Sequence, residues 1–355
     1  MLVRALLPVV LCVALVAADA DTVPSAASCY RVYVVNQRSD DLTFLDCAGR
    51  RLGTVHVGRN PHEVAVNRRG TRAYTSDQRA GTISEVSLVR RRRVQAVVVG
   101  GAPHGLALSP DERRLFITAE GRHEVDVLAL PALRVSVRLH VGTGPHMLYA
   151  TPDGGHALVT DPAGDRVAMI DLMRARVLWT VGVRGSPEGA AVSPDGQVAY
   201  VAGRTSGDLT VLALGRTAAR VTARFPVGAE PIRVAVSRDG REAYVTLFGA
   251  ARLQVVDLRR RRVVAGVGTG PHPVGVSLAP DGRTLWVGNL GAGAVTVIDS
   301  RTRRVIQTVA AGQGPDGIAF GPPADGHRQL GGARRRPWRA QAARSSHGQA
   351  APDVP

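Results

Sequence analysis

The stretch PEGAAVSPDGQVAYVAGRTSGDLTVLALGRTAARVTARFPVG, residues 187–228, decides the fold. Its apolar residues fall in four short runs: the segment after Pro187, Val198–Ala202, Leu209–Leu214, and Val221 onward to Val227. Pro194-Asp195-Gly196, a Gly/Ser/Asp turn and a second polar turn separate them. No run has helical period, and each is the length of a β-strand bounded by turn residues. The four are called a, b, c and d.

The same unit recurs along the chain. Prolines at 61, 103, 145, 187, 231, 271 and 315 each open an apolar run, at spacings of 42, 42, 42, 44, 40 and 44 residues. A period this long marks modules that bury their apolar faces only against one another. The chain begins with b, c and d of a unit lacking a, and ends with a strand a, Pro315–Phe320, lacking the rest. The expected fold is therefore all-β: a seven-bladed β-propeller of four-stranded antiparallel blades, its ring closed by the C-terminal strand completing the N-terminal blade. Closure removes the exposed sheet edges of a linear array.

The b strands Tyr33-Val-Val-Asn36, Tyr74-Thr-Ser-Asp77, Tyr200-Val-Ala and Tyr244-Val-Thr carry a resemblance, as do the Ser-Pro-Asp-Gly turns and c strands such as Val295-Thr-Val-Ile-Asp299. They resemble the YVTN-repeat family of β-propellers over all seven units. The resemblance implies the fold. It says little about activity, because such propellers include surface-layer and binding proteins as well as enzymes.

Around this core the organisation reads as a signal peptide at 1–20, a linker at 21–28, the propeller at 29–321 and a disordered basic tail at 322–355. Arg4, the apolar stretch from Ala5 to Ala17 and Ala18-Asp19-Ala20 form the secretory pattern. A secreted or extracytoplasmic protein is expected, with no transmembrane segment. Export leaves Cys29 and Cys47, which flank a hairpin, in a compartment where a disulfide persists. The formal charge of +16 is carried by arginine alone, the sequence containing no lysine. It attracts acidic partners without selecting one. Nucleic acid is not expected, since no aromatic stacking pattern accompanies the charge, and a monomer is expected.

Strand direction sorts the loops onto two faces. The a–b and c–d loops collect Arg68, Arg69, Arg90 to Arg93, Arg113, Arg114, Arg174, Arg259 to Arg262, Arg301, Arg303 and Arg304. That face suits an anionic cell-envelope polymer or lipid headgroups. In four copies an aspartate precedes the first arginine of strand d by five residues, which predicts the pairs Asp46–Arg51, Asp171–Arg176, Asp257–Arg262 and Asp299–Arg304. The aspartates of the a–b turns, as in Pro194-Asp195-Gly196, read as turn formers.

The d–a and b–c face holds the sharper candidate. The residues after the seven prolines are His62, His104, His146, Glu188, Ile232, His272 and Asp316. The ends of strands b add Asp77, Glu120, Asp161 and Asn289. Seven-fold geometry brings these positions to the mouth of the central channel. There they form a ligand-binding set, with His62, His104, His146 and His272 as candidate ligands for a divalent or transition metal. Strand parity leaves two orientations open, into the channel or into the seam between blades. The leading expectation is a binding or protein-interaction module for an unidentified small molecule or protein. The alternatives are a metal-dependent lyase or hydrolase using the same histidines, similar to propeller lyases, and an envelope scaffold held by its arginine face. Whether the protein is an enzyme, and which residues would be catalytic, is left open by the sequence.

Overall fold

The structure is a computed structural model describing residues 29–323. The 1–20 leader, the 21–28 linker and the tail beyond Pro323 lie outside the described residues. Twenty-eight strands form seven separate four-stranded antiparallel sheets. Six sheets run in chain order, and the remaining one pairs Pro315–Gly321 with Arg31–Asn36, Asp41–Asp46 and Arg51–His56. That is blade 1, and blades 2 to 7 follow along the chain. The C-terminal strand thus closes the ring.

The core is a set of seven apolar clusters, each shared between neighbouring blades. One joins Tyr200 and Leu209 of blade 5 to Ala243 and Val256 of blade 6. Another joins Tyr33 and Phe44 of blade 1 to Ala73 and Val86 of blade 2. Trp286 is fully buried, and Trp179 is buried with its Nε1 donating to the Gly215 carbonyl at 3.1 Å. Cys29 and Cys47 are joined by a disulfide across 5.6 Å between Cα atoms, tying the segment before the first strand to the first hairpin.

The aspartates of the a–b turns are turn formers, as expected. Asp195 Oδ1 accepts from Ser193 Oγ at 2.6 Å and from the Gln197 amide at 3.0 Å, and the turns at Asp111 and Asp239 repeat this.

The predicted Asp–Arg pairs are not formed. The backbones of Asp171 and Arg176, Asp257 and Arg262, and Asp299 and Arg304 do face one another. Each carboxylate, however, curls into its own c–d turn and accepts amide hydrogens there, from Ala48 and Arg50 at Asp46 and from Met173 and Arg174 at Asp171. Its guanidinium partner is then the arginine within that turn: Arg50 at 3.0 Å from Asp46, Arg174 at 3.1 Å from Asp171 and Arg260 at 2.8 Å from Asp257. Asp299 instead pairs with Arg283 at 2.7 Å. Backbone donors close at hand outcompete an exposed arginine across the hairpin.

In blade 7 the register also differs from the sequence expectation. Pro273, not Pro271, pairs with the last residue of strand b, as Pro61 pairs with Asp77 and Pro231 with Leu247. The structural spacings are therefore 42, 42, 42, 44, 42 and 42. His272 precedes the anchor proline, at φ 51°, like Asn60, Ala102, Ser186 and Glu230 in their blades.

Around the channel the blades meet closely two residues after the anchor proline. A Cβ on Gly189 would lie 2.2 Å from the Ile232 carbonyl of the next blade, and one on Gly275 2.2 Å from the Asp316 carbonyl. Gly189→Val should therefore destabilise by ~1–3 kcal/mol, read as a lower urea midpoint at unchanged slope. Gly182→Ala, where nothing lies within 4 Å, should shift it by less than ~0.5 kcal/mol. Equal effects would contradict the close approach.

Candidate functional site

Which way the post-proline residues face is decided by a β-bulge. The a–b register slips between the anchor proline and the residue two or three positions later, at Pro61/Glu63, Pro103/Leu106, Pro187/Ala190, Pro231/Val234 and Pro273/Val276. An extra residue in strand a inverts parity. The first residue after proline consequently does not share a face with the core residue at the third. His62, His104, His146, Glu188, Ile232, Val274 and Asp316 all line one cavity of about 230 Å³ at the axis, with Gln37, Arg204, Phe248 and Leu290 from the b–c loops.

A hydroxyl at the penultimate position of strand b holds this ring. Thr118 Oγ1 accepts from the Gly105 amide of its own blade at 2.7 Å and donates to the His146 carbonyl of the next at 2.6 Å. Thr160 does the same between Met147 and Glu188, and Thr246 between Arg233 and Val274. Ser76 bridges Glu63 and His104.

The cavity has two unlike arcs. On the polar side, the rings of His62 and His104 lie 4.3 Å apart and those of His104 and His146 3.9 Å apart, tilted by 41° and 34°. Carboxylates stand at both ends of this stack. Asp316 lies 3.2 Å from His62 Nδ1 and accepts from Gln37 Nε2 at 2.6 Å. Glu188 lies 3.3 Å from His146 Nδ1 and accepts from Arg204 at 2.9 Å, while Glu120 lies 3.5 Å from His146 Nε2. On the other side Ile232, Val274, Phe248 and Leu290 form an apolar arc. His272 stands outside the ring, its imidazole stacked on Phe248 at 4.8 Å and 26°, with the Arg204 guanidinium 5.6 Å from the same Phe248 ring.

The floor is a cross-ring bridge. Arg233 of blade 6 donates to Glu63 of blade 2 at 2.6 Å and to the Tyr149 hydroxyl of blade 4 at 2.9 Å, and lies 3.8 Å from Asp316 of blade 1. It separates the mouth from a second cavity of about 420 Å³ beneath, walled largely by Ala, Gly, Val and Leu. The sequence did contain a signal for the bridge. Two residues after the proline four blades have glycine, and Glu63 and Arg233 are the charged exceptions. Four residues after it every blade is small except at Tyr149.

Burial sets the protonation states. It lowers His104 well below the ordinary histidine range, with His146 and His62 adding to the effect, and lowers His146 to about 4 against the opposing pull of Glu188. Both imidazoles are neutral at pH 7. Burial raises Glu63 to about 7 against the pull of Arg233, and raises Glu120 to about 6 against that of His62. Asp316 stays low because the His62 hydrogen bond and Arg233 outweigh its burial. The buried Nδ1 atoms of His104 and His146 and the buried Oδ1 of Asp316 have no hydrogen-bond partner within the protein.

Three further sequence candidates turn away from the axis. Asp77, Asp161 and Asn289 are buried and bonded to their own blade or to the d–a connector leading into it. Asp77 accepts from Ser84 Oγ at 2.6 Å, Asp161 from the Thr143 amide at 2.8 Å, and Asn289 from the Gly270 amide at 3.1 Å. Nor does the donor set fit a shared metal ion. His272 is set apart from the other three histidines, stacked on Phe248 outside the cavity lining. Among the described residues no group of three or more His, Cys, Asp or Glu is arranged to hold one.

Two consequences are measurable. Thr160→Val removes a bridge between the Met147 amide and the Glu188 carbonyl, and should cost ~1–3 kcal/mol in chemical unfolding; an unchanged midpoint would contradict it. The second concerns pH. A neutral buried His146 has a folded pKa of about 4 against 6.5 for the free side chain, so the unfolded chain takes up the proton first. Stability supplied by His146 is present above pH 6.5 and is lost as pH falls toward 4, by up to ~3 kcal/mol. Glu63 and Glu120 act in the opposite direction, so the comparison is between parent and His146→Gln. The variant should lose less stability between pH 7 and pH 4.5, and equal losses would contradict the neutral-histidine assignment.

No protein-family profile matches the chain, and neither does any curated protein sequence. Solved structures share the architecture. A hydrazine synthase chain of Kuenenia stuttgartiensis is 23% identical with a TM-score of 0.69, over 76% of this chain and 92% of that one. A functionally unknown protein from Desulfotomaculum acetoxidans is 15% identical with a TM-score of 0.72, over 83% and 99%. The periplasmic gluconolactonase of Pseudomonas aeruginosa is 20% identical with a TM-score of 0.67, over 82% and 99%. At these identities the likeness establishes the fold: this chain is a seven-bladed β-propeller with gluconolactonase and hydrazine synthase chains among its structural neighbours.

Proposed function

We propose that this protein is an exported binding module of the YVTN-repeat type that takes a small, uncharged, hydroxyl-bearing ring compound at the axial mouth. One observation carries the reading. A cavity of about 230 Å³ has the imidazoles of His62, His104 and His146 on one arc, the latter two neutral, and apolar side chains on the other. Its charged lining residues balance, Glu188 and Asp316 against Arg204 and Arg233, which favours an uncharged ligand over an ion. A ring with hydroxyls on its edge would meet Gln37 and the histidines and lay an apolar face toward Phe248 and Leu290. Export rests on the leader sequence; the Cys29–Cys47 disulfide and the likeness to a periplasmic protein are compatible with it.

A second reading, hydrolysis or elimination on a small cyclic ester, is favoured by one specific feature. Glu120, 3.5 Å from His146 Nε2 at the mouth, is raised to about 6, and a carboxyl near operating pH is suited to proton transfer. The gluconolactonase likeness makes glucono-1,5-lactone the probe for both readings.

Titration calorimetry with that lactone should give saturable binding. His62→Ala, His104→Ala and His146→Ala combined should abolish it while the protein still unfolds cooperatively. Binding undiminished in the triple variant would overturn the site. A pH-stat trace on the same samples separates the readings: acid release by the parent above the spontaneous rate supports the enzyme, and binding without release supports the module.

A further inference from the structure

The face opposite the mouth carries a second feature, between blades 1 and 2. Val89, at the tip of the c–d turn of blade 2, is 64% exposed and stands between two cavities of about 170 and 350 Å³. The first is floored by Tyr33, Phe44, Leu52 and Leu88 and rimmed by Arg31, Arg69 and Arg91. The second is bounded by Arg72, Arg90, Arg92 and the exposed Val94. Neither lining contains a carboxylate. Arg72 is paired with the buried Glu85 and Arg91 donates to the Leu52 carbonyl at 2.7 Å. Among the described residues Arg31, Arg69, Arg90 and Arg92 have no carboxylate partner.

Arginine abundance across the whole chain does not account for this patch. The groove between blades 4 and 5, formed by the equivalent turns, sets Asp153, Asp171 and Asp195 against Arg174, Arg176 and Arg216. There the charges cancel. At blades 1 and 2 they do not, and apolar side chains stand exposed among the guanidiniums.

We propose that this edge docks the protein onto an anionic phospholipid bilayer. Guanidinium groups engage phosphate by paired hydrogen bonds and are drawn to a negative surface within a Debye length. Val89 and Val94 then sit at headgroup depth, and the apolar-floored pocket faces the acyl boundary. A soluble anionic polymer would satisfy the arginines but would leave the exposed Val89 and Val94 in water, so the bilayer is the better match. The a–b and c–d loops lie opposite the mouth, and a propeller docked this way holds its axial cavity away from the membrane. The proposal is independent of what the mouth binds.

Sedimentation with vesicles tests it. The full protein should bind vesicles of phosphatidylglycerol and phosphatidylcholine in equal parts, should leave phosphatidylcholine vesicles in the supernatant, and should be released by added salt. Arg69→Gln, Arg90→Gln and Arg92→Gln together should weaken partitioning more than about tenfold, and Val89→Ser about threefold. If the triple variant does not fold, Val89→Ser and the salt titration of the parent decide the matter. Equal partitioning onto both vesicle types overturns the proposal, as does unchanged binding by the variants. Binding to soluble dextran sulfate without binding to vesicles also overturns it, in favour of polymer docking.

Discussion

The contact on which the rest of this molecule depends is the side-chain hydroxyl at the penultimate position of strand b. From Ser76, Thr118, Thr160 and Thr246 it takes a hydrogen bond from its own blade's inner strand and gives one to the first inner carbonyl of the next blade. It therefore fixes two things together: the spacing of neighbouring blades at the axis, and the backbone of the residue whose side chain lines the mouth. Glycines at 105, 189, 275 and 317 permit this spacing, because a Cβ at any of them would strike the backbone of the adjoining blade. Rigid blades with little side-chain bulk between them leave the axis for chemistry.

What occupies the axis follows from that confinement. Three histidines on consecutive blades have room only to stack, and stacking in a buried site keeps at least two of them neutral. Arg233 cannot be buried alone, so it reaches Glu63, Tyr149 and the neighbourhood of Asp316 across the ring. The result is a blind cup in place of an open channel, with balanced charge, one polar arc and one apolar arc.

Much of this was legible in the sequence because a propeller blade is a local object. Four short strands, turn aspartates, the split blade at the termini and the Cys29–Cys47 pair all depend on residues within one repeat or on simple closure. The failures have two physical causes. Where two structures compete within a few residues, spacing does not choose between them: Pro271 and Pro273 both suit a strand start, and turn amides compete with Arg51 or Arg176 for an aspartate. Where contacts span the ring, periodicity is silent. Glu63 and Arg233 are 170 residues apart, and only their departure from glycine at a repeated position marks them. The bulge that turns the post-proline residues toward the axis likewise depends on pairing, not on composition.

A ligand in the axial mouth must meet His62, His104 and His146, which line it. The imidazole 15N spectrum, followed through a titration with glucono-1,5-lactone, reads those three side chains directly. The signals of His62, His104 and His146 should move together and saturate, while that of His156, at the a–b turn of blade 4 on the opposite face, stays fixed. Movement of the His156 signal alone, with the three mouth signals unchanged at saturation, would contradict a ligand site at the mouth.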